Sequence, residues 1–414
     1  MTRVMPPEGH PPDEDRAGQM IVEERVDACA FARPFRVLST CEVFEPGYRG
    51  GGPIRSLSRL IESISSNIDL RLVTRDRDLG SSSPYPELSG KWIERSHSRV
   101  FYLNTSSALQ WIKLWRALRR TSFHVLYVNS LWNPLFTLIP IAARGLRLIR
   151  AEQVLIAPRG ELASGALALK SVKKRLLLKV LTPVLRRMKP KWHASSRIEE
   201  CDIKETFPWA SVLTFFPEQA NLPPEPMPPE KTGLQGPLRL VFLSRIAPVK
   251  NLTLVLRALA KISGPVHFDI YGPIEAAKYW ALCQSLIKQL PGGIRVRYRG
   301  EVEHSDVPGI FVRYDTFVFP TAGENFGHVI AESLSASCPV ICSNATPWTE
   351  VLAAGGGAIL PALNEDALAA EIERVAAMTS AQRLQARRVA GDCYRAWRQS
   401  VRDVNILNHI CETP

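Results

Sequence analysis

The sequence predicts an α/β protein made of two doubly wound parallel-sheet units that face each other across a cleft. Three observations predict it. Short apolar runs alternate with longer helical patterns from about residue 34 onward. The alternation stops at a proline-rich stretch and restarts beyond it. The 414 residues, 45% hydrophobic and 22% charged, are enough chain for two to three domains, each with its own core. The same figures exclude a disordered chain, a collagen-like repeat and a small disulfide scaffold.

Taken in order, residues 1–33 hold four prolines and mixed charge without periodicity, and read as a disordered leader. They contain no apolar core of a secretory signal. The first unit, residues 34–216, offers strands at 35–40, 69–74, 124–129 and 153–158, with an amphipathic helical run from Ile54 to Ile64. Its longest apolar stretch, Leu131 to Ala143, is broken by Asn133, Pro134 and Pro140. That falls short of the ~20 residues a spanning helix needs, so a soluble or peripheral protein is expected. Residues 217–237 carry seven prolines and read as a linker, because proline removes a backbone donor and fixes φ. The second unit, residues 238–385, restarts with strands at 238–244, 266–272, 294–300, 316–321 and 338–343. The final run, Ala381 to Ile410, has a helical pattern.

Charge and cysteine content narrow the partners. Lys and Arg number 52 against 40 acids, a net charge of +12, which implies a phosphate-bearing partner: nucleic acid, anionic membrane or phosphorylated small molecule. The eight cysteines lack CxxC spacing and a completing His set, so they read as reduced thiols of an intracellular protein rather than zinc ligands.

Four constellations carry chemistry. Tyr48-Arg49-Gly50-Gly51-Gly52-Pro53 lies between the first strand and the first helix, where glycines allow close backbone approach and a helix start presents unpaired N–H groups to an anion. It is not GxGxxG, and a flexible turn is the plain alternative. Ser244 to Asn251 follows the first strand of the second unit and spaces Arg245 and Lys250 to clamp a diphosphate, or simply forms a solvated loop. Glu324-Asn325-Phe326-Gly327, running on to Glu332, opens an apolar helix after the strand at 316–321. The two carboxylates there can accept hydrogen bonds from sugar hydroxyls, and Gly327 permits close approach to a phosphate. Acids near a helix start are also common without function. Finally, residues 162–198 hold ten Lys or Arg and no acid. Lys170, Lys173, Lys174, Arg175 and Lys179 share one broad helical face, with Leu176, Leu177, Leu178, Val180, Leu181 and Leu185 opposite. This suits an anionic membrane surface, or equally a solvated helix packing its leucines on the core. No groove-reading or aromatic-interleaved motif accompanies the charge, so no nucleic-acid partner is expected.

R-x4-K-N after a strand, followed by E-x7-E at a helix entry, resembles the donor-binding half of family 4 glycosyltransferases of the GT-B fold, two Rossmann-like doubly wound domains. The resemblance covers roughly residues 35–400. It extends to pieces similar to a bacterial polysaccharide-assembly subgroup: APRGEL (157–162), KKRLLL (173–178), HASS (193–196), YGPIE (271–275) and TPWTEV (346–351).

The resemblance implies a retaining glycosyltransferase that moves a sugar from a nucleotide-diphosphate donor to a glycan or lipid-linked oligosaccharide acceptor of cell-surface polysaccharide. It would work in the cytoplasm, at the inner face of the membrane if it docks there. By that likeness Arg245, Lys250 and Glu324 are catalytic: the two cations neutralise the leaving diphosphate without a metal, and Glu324 holds donor-sugar hydroxyls. Glu332 would hold the ribose. Ser244, Asn325, Phe326, Gly327 and Gly50 to Gly52 would line the donor. No cofactor is implied, because the nucleotide sugar is a substrate.

The chain departs from many relatives at Arg159, where they carry His, and at Asn129, so both are further candidate site residues. Asp76-Arg77-Asp78 spells a metal motif of the other glycosyltransferase fold in the wrong architecture. The likeness also implies that a C-terminal helix, residues 386–414, crosses back to the first unit. Two alternatives stay open: a GT-B-fold protein of other chemistry, such as a sugar-nucleotide epimerase or phosphorylase, and a non-catalytic basic protein that binds membrane.

Overall fold

The computed structural model describes residues 34–95, 98–163, 171–214, 222–229, 236–401 and 404–413, leaving aside the side chains at 171–173 and 175. The expected leader at 1–33 and Lys170 lie outside the described residues, as do the side chains of Lys173 and Arg175.

Two sheets form. The first contains β1 (Phe35–Thr40), β2 (Ile68–Arg75), β3 (Trp92–Arg95), β4 (Ser98–Leu103), β5 (Ser122–Asn129), β6 (Arg150–Ala157), β7 (Lys191–Ala194) and β8 (Ser211–Thr214). Their order is β3-β4-β2-β1-β5-β6-β7-β8, parallel throughout except for β3 against β4. The second contains β9 (Leu238–Leu243), β10 (Val266–Tyr271), β11 (Ile294–Gly300), β12 (Thr316–Phe319), β13 (Val340–Cys342) and β14 (Gly357–Ile359), ordered β11-β10-β9-β12-β13-β14 and wholly parallel. Both faces of such sheets are covered, which is why the central strands read as near-continuous apolar runs.

Helices cover the first sheet on two sides. One face packs with Leu114, Leu118, Ile141, Leu181 and Leu185 in a single cluster. The other packs with Leu57, Leu60 and Ile61 of helix Gly52–Glu62. The second sheet has one core, containing Leu240, Phe242, Phe268 and Phe317 with Leu256 and Leu334 from the helices.

Each sheet has a switch point where neighbouring strands leave in opposite directions: β1 lies between β2 and β5, and β9 between β10 and β12. Connections after β1, β9 and β12 therefore diverge and leave a crevice at the strands' carboxyl ends. The glycine run, the Arg245–Lys250 segment and the Glu324 loop are those connections.

Several expectations are corrected. β3, β7, β8 and β14 are three or four residues long, too short to show alternation in sequence. The run 381–410 is not one helix: Ser380–Ser400 ends at an extended Val401 (φ −92°, ψ 128°), and Asn405 caps a separate helix, Ile406–Glu412. Ile406, Leu407 and Ile410 are buried in the first unit's cluster, and Asn405 Nδ2 donates to Leu60 O at 2.8 Å. The described part of the linker, residues 222–229, is not a free tether. Leu222 joins the second core, Met227 N donates to Ser335 O at 2.7 Å, and the Tyr394 hydroxyl donates to Pro223 O at 2.5 Å.

Candidate active site

A cleft of about 1050 Å³ lies between the units. It is lined from the first by Gly50, Gly51, Gly52, Arg55 and Arg159, and from the second by Ser244, Arg245, Lys250, Glu324 to Gly327 and Glu332. Asn129 is absent from the lining: its Oδ1 accepts from Arg159 Nη2 at 2.9 Å and its Nδ2 donates to Ser39 Oγ at 3.2 Å.

Lys250 follows β9 in a single 3₁₀ turn that ends at Asn251 in the left-handed region (φ 58°). Its ammonium forms a direct ion pair with Glu324 and lies 5.5 Å from the Phe319 ring centre. Lys250 is only 9% exposed, so its charge acts through little water. Arg245, on the same loop, is more open and pairs with Glu275. Glu324 is fixed by its own backbone N–H, which donates to Ala345 O at 3.0 Å.

Gly327 starts helix His328–Ser335 at φ 78°, where a β-carbon would be strained and would also crowd Ile330 and Trp348. One helical turn beyond His328, Glu332 is buried and forms an ion pair with Arg55 of the opposite unit, while His304 Nδ1 lies 3.4 Å away. Burial pushes the Glu332 carboxyl up to about 7, even though the Arg55 guanidinium pulls it down. Burial, with Arg55 nearby, lowers His328 to about 3 and His304 to about 4.

The units also touch through backbone. A β-carbon on Gly52 would lie 3.0 Å from His328 Cδ2, so the glycine turn lets the first helix start against the second unit. Asn325 Nδ2 donates to Ser195 Oγ at 2.6 Å, and the Tyr48 hydroxyl donates to Glu301 at 3.0 Å. Ser195 in turn donates to Glu199, whose other oxygen accepts from Gly160 N at 2.7 Å.

The cations that a diphosphate would meet are thus already paired with carboxylates. Anion binding here exchanges partners instead of filling a bare positive pocket. Arg159, in the left-handed region at φ 56°, is held by the Tyr127 hydroxyl at 2.9 Å as well as by Asn129. That network braces the turn beside Gly160. Among the described residues, no group of three or more His, Cys, Asp or Glu is arranged to hold a metal ion. Asp76 and Asp78 are spent locally: Asp76 pairs with Arg77, and Asp78 accepts from Tyr48 N at 3.1 Å.

Sequence reasoning missed Arg55, His304 and Glu199, and met Ser195 only as part of the HASS piece, with no role. Arg55 alone had a local signal, a cation in the first helical turn after the glycine run. Of the others, His304 meets Glu332 and Glu199 meets Gly160 within one unit through tertiary folding, and Ser195 meets Asn325 only where the two units dock.

Residues 228–388 match the family model described as Glycosyl transferases group 1. Residues 238–385, the second unit, lie within that match. This unit contains Arg245, Lys250, Glu324 and Glu332. Beyond it, the O-antigen chain mannosyltransferase B of Escherichia coli is 30% identical over 136 residues, which is 32% of this chain and 35% of that relative's own length. The alignment therefore spans about a third of the curated relative. The crystal structure of Anabaena HepE in complex with UDP and glucose matches with a TM-score of 0.66 at 17% identity, over 92% of this chain and 99% of that one. Sucrose-phosphate synthase from Thermosynechococcus elongatus matches with a TM-score of 0.69 at 16% identity, over 91% and 97%. Likeness at that identity establishes the fold alone, GT-B, with the residues that match the family model in its second half, and the chain resembles family 4 glycosyltransferases in both respects.

Proposed function

We propose that the protein is a retaining glycosyltransferase that moves a sugar from a nucleotide-diphosphate donor to a glycan or lipid-linked oligosaccharide acceptor in cell-surface polysaccharide synthesis. The observation that carries this reading is the meeting of Arg245, Lys250, Glu324 and Glu332 at the switch-point end of the second unit, facing the glycine turn of the other unit. UDP and glucose in HepE, and the polysaccharide role in the name of the mannosyltransferase, support the same substrate class.

The Lys250–Glu324 pair marks where the sugar–phosphate bond would lie. The carboxylate accepts from sugar hydroxyls while the ammonium moves onto the diphosphate oxygens, so one ligand replaces both halves of the ion pair. As the bond from the anomeric carbon to the phosphate oxygen breaks, negative charge grows on the diphosphate. Lys250 and Arg245 stabilise that charge from fixed positions, so the reaction runs without a metal. Glu332, held by Arg55, accepts from the ribose hydroxyls. Ile198, Asp202 and Arg59 also line the cleft.

A panel of nucleoside diphosphates and their sugars, screened by thermal unfolding, tests the reading. A true donor at a hundred times its Kd stabilises the fold by about 2.7 kcal/mol. The anomeric configuration of the product, read by NMR, tests retention. No stabilisation by any nucleotide sugar would remove the donor assignment.

A further inference from the structure

The first unit carries a charge concentration that the donor site does not use. Residues 95–198 hold 20 Lys or Arg against two acids, Glu152 and Glu161, a larger surplus than the +12 of the whole chain. Glu161 is turned inward, accepting from Leu131 N and Ser130 Oγ, so it does not offset the surface charge.

Of these, Arg116, Arg119, Arg144, Lys179, Arg186 and Arg187 lie on three helices that share one face, whereas Arg95 and Arg99 pair with Glu45 and Asp69 and Arg159 lines the cleft. Helices Ala108–Arg119, Ile139–Gly145 and Ser171–Met188 all pack on the same face of the first sheet, through Leu114 and Leu118, Ile141 and Ala143, and Leu181 and Leu185. Strand pairing joins their ends. Ser122, three residues beyond Arg119, pairs with Arg150, three residues beyond Arg147. β7, entered directly from the third helix through Lys189, pairs with β6.

The outer surface of this layer is apolar as well as cationic. Leu176, Val180 and Val184 follow one another at helical spacing and are 65%, 60% and 45% exposed, so the leucine face expected opposite the lysines is divided. Leu181 and Leu185 face the core, while Leu176 and Val180 face outward, because the 3.6-residue period separates the two rows. Lys179, Arg186 and Arg187 flank the exposed row. On the neighbouring segments Leu109 and Leu146 are 79% and 73% exposed.

We propose that this helical layer is a docking surface for an anionic phospholipid bilayer. Cations without compensating acids fit a negative surface. Aliphatic side chains standing among them fit insertion at the acyl boundary, which a nucleic acid does not offer. Near the start of the third helix, Lys174 Nζ lies 5.5 Å from the ring centre of Trp132, a residue of the connection after β5. Docking uses this layer only. It rests on the first unit alone and stands whether or not the donor assignment does.

Flotation of the full chain with vesicles of phosphatidylcholine, with and without 30% phosphatidylglycerol, tests it. Binding is expected only with the anionic lipid, and is expected to weaken with added salt. The exposed changes Leu176→Asp with Val180→Asp, and separately Arg186→Glu with Arg187→Glu, should each weaken it at least about tenfold, since each cation near the surface contributes about 1 kcal/mol. Unchanged unfolding temperature and unchanged nucleoside-diphosphate binding in these variants show that the fold and the cleft are intact. No binding to anionic vesicles, binding unaffected by both pairs of changes, or binding to an RNA oligonucleotide in place of vesicles would overturn the proposal.

Discussion

Arg55 and Glu332 show at the scale of single residues how the site depends on both units. Glu332 is buried on the second unit, and the cation beside it comes from the first helix of the other unit. Without Arg55 the carboxyl would be protonated over a wider pH range and would accept more weakly from ribose hydroxyls. Arg55→Ala should therefore weaken nucleoside-diphosphate binding about tenfold, with Arg55→Lys restoring part of it, as calorimetry can measure.

The buried groups also set the pH response. Glu332 is raised from 4.5 to about 7, so the folded state keeps a proton that the unfolded chain releases, and its contribution to stability falls as pH rises through that window. His328 acts in the opposite sense. Its imidazole is lowered from 6.5 to about 3, so the unfolded chain binds the extra proton, and stability falls as pH drops through that window. Replacing it, His328→Gln, should reduce the difference in unfolding temperature between pH 4 and pH 7. An undiminished difference would remove His328 as its source.

At the scale of elements, the motifs were legible because each occupies one connection after one strand. The glycine run, the Arg245–Lys250 segment and the Glu324 loop could be placed from local sequence, and the sheet order brings them together. Elements whose evidence is not local were lost. The four-residue strand Lys191–Ala194 pairs with β6 but has no alternation of its own to read. The break at Val401 depends on Asn405 finding Leu60 O, some 340 residues away in sequence. That last helix fixes the chain's end to the first unit through Leu407, which is fully buried. Leu407→Ala should cost about 2–5 kcal/mol, measured by denaturant unfolding, because it opens a cavity under the helix. A cost near zero would mean the helix does not anchor the tail.

On the scale of the whole molecule, two parallel-sheet units and a cleft were readable from alternation and its interruption. The contacts that close the cleft were not. Asn325 to Ser195, Tyr48 to Glu301 and Arg55 to Glu332 each join residues more than 100 positions apart, and no periodicity encodes such a meeting. The charge was legible in amount and, over residues 162–198, in place; what was not legible is that Arg49, Arg55, Arg245 and Lys250 of the cleft are each matched by a carboxylate.

The central claim is that Lys250 and Glu324 act on a nucleotide-sugar donor, and nucleoside-diphosphate release measures it most directly. With the sugar nucleotide that most stabilises the wild-type chain, Lys250→Ala and Glu324→Ala should each lower the release rate by about 10²–10³ while the fold stays intact. Unchanged release in both variants would contradict the account.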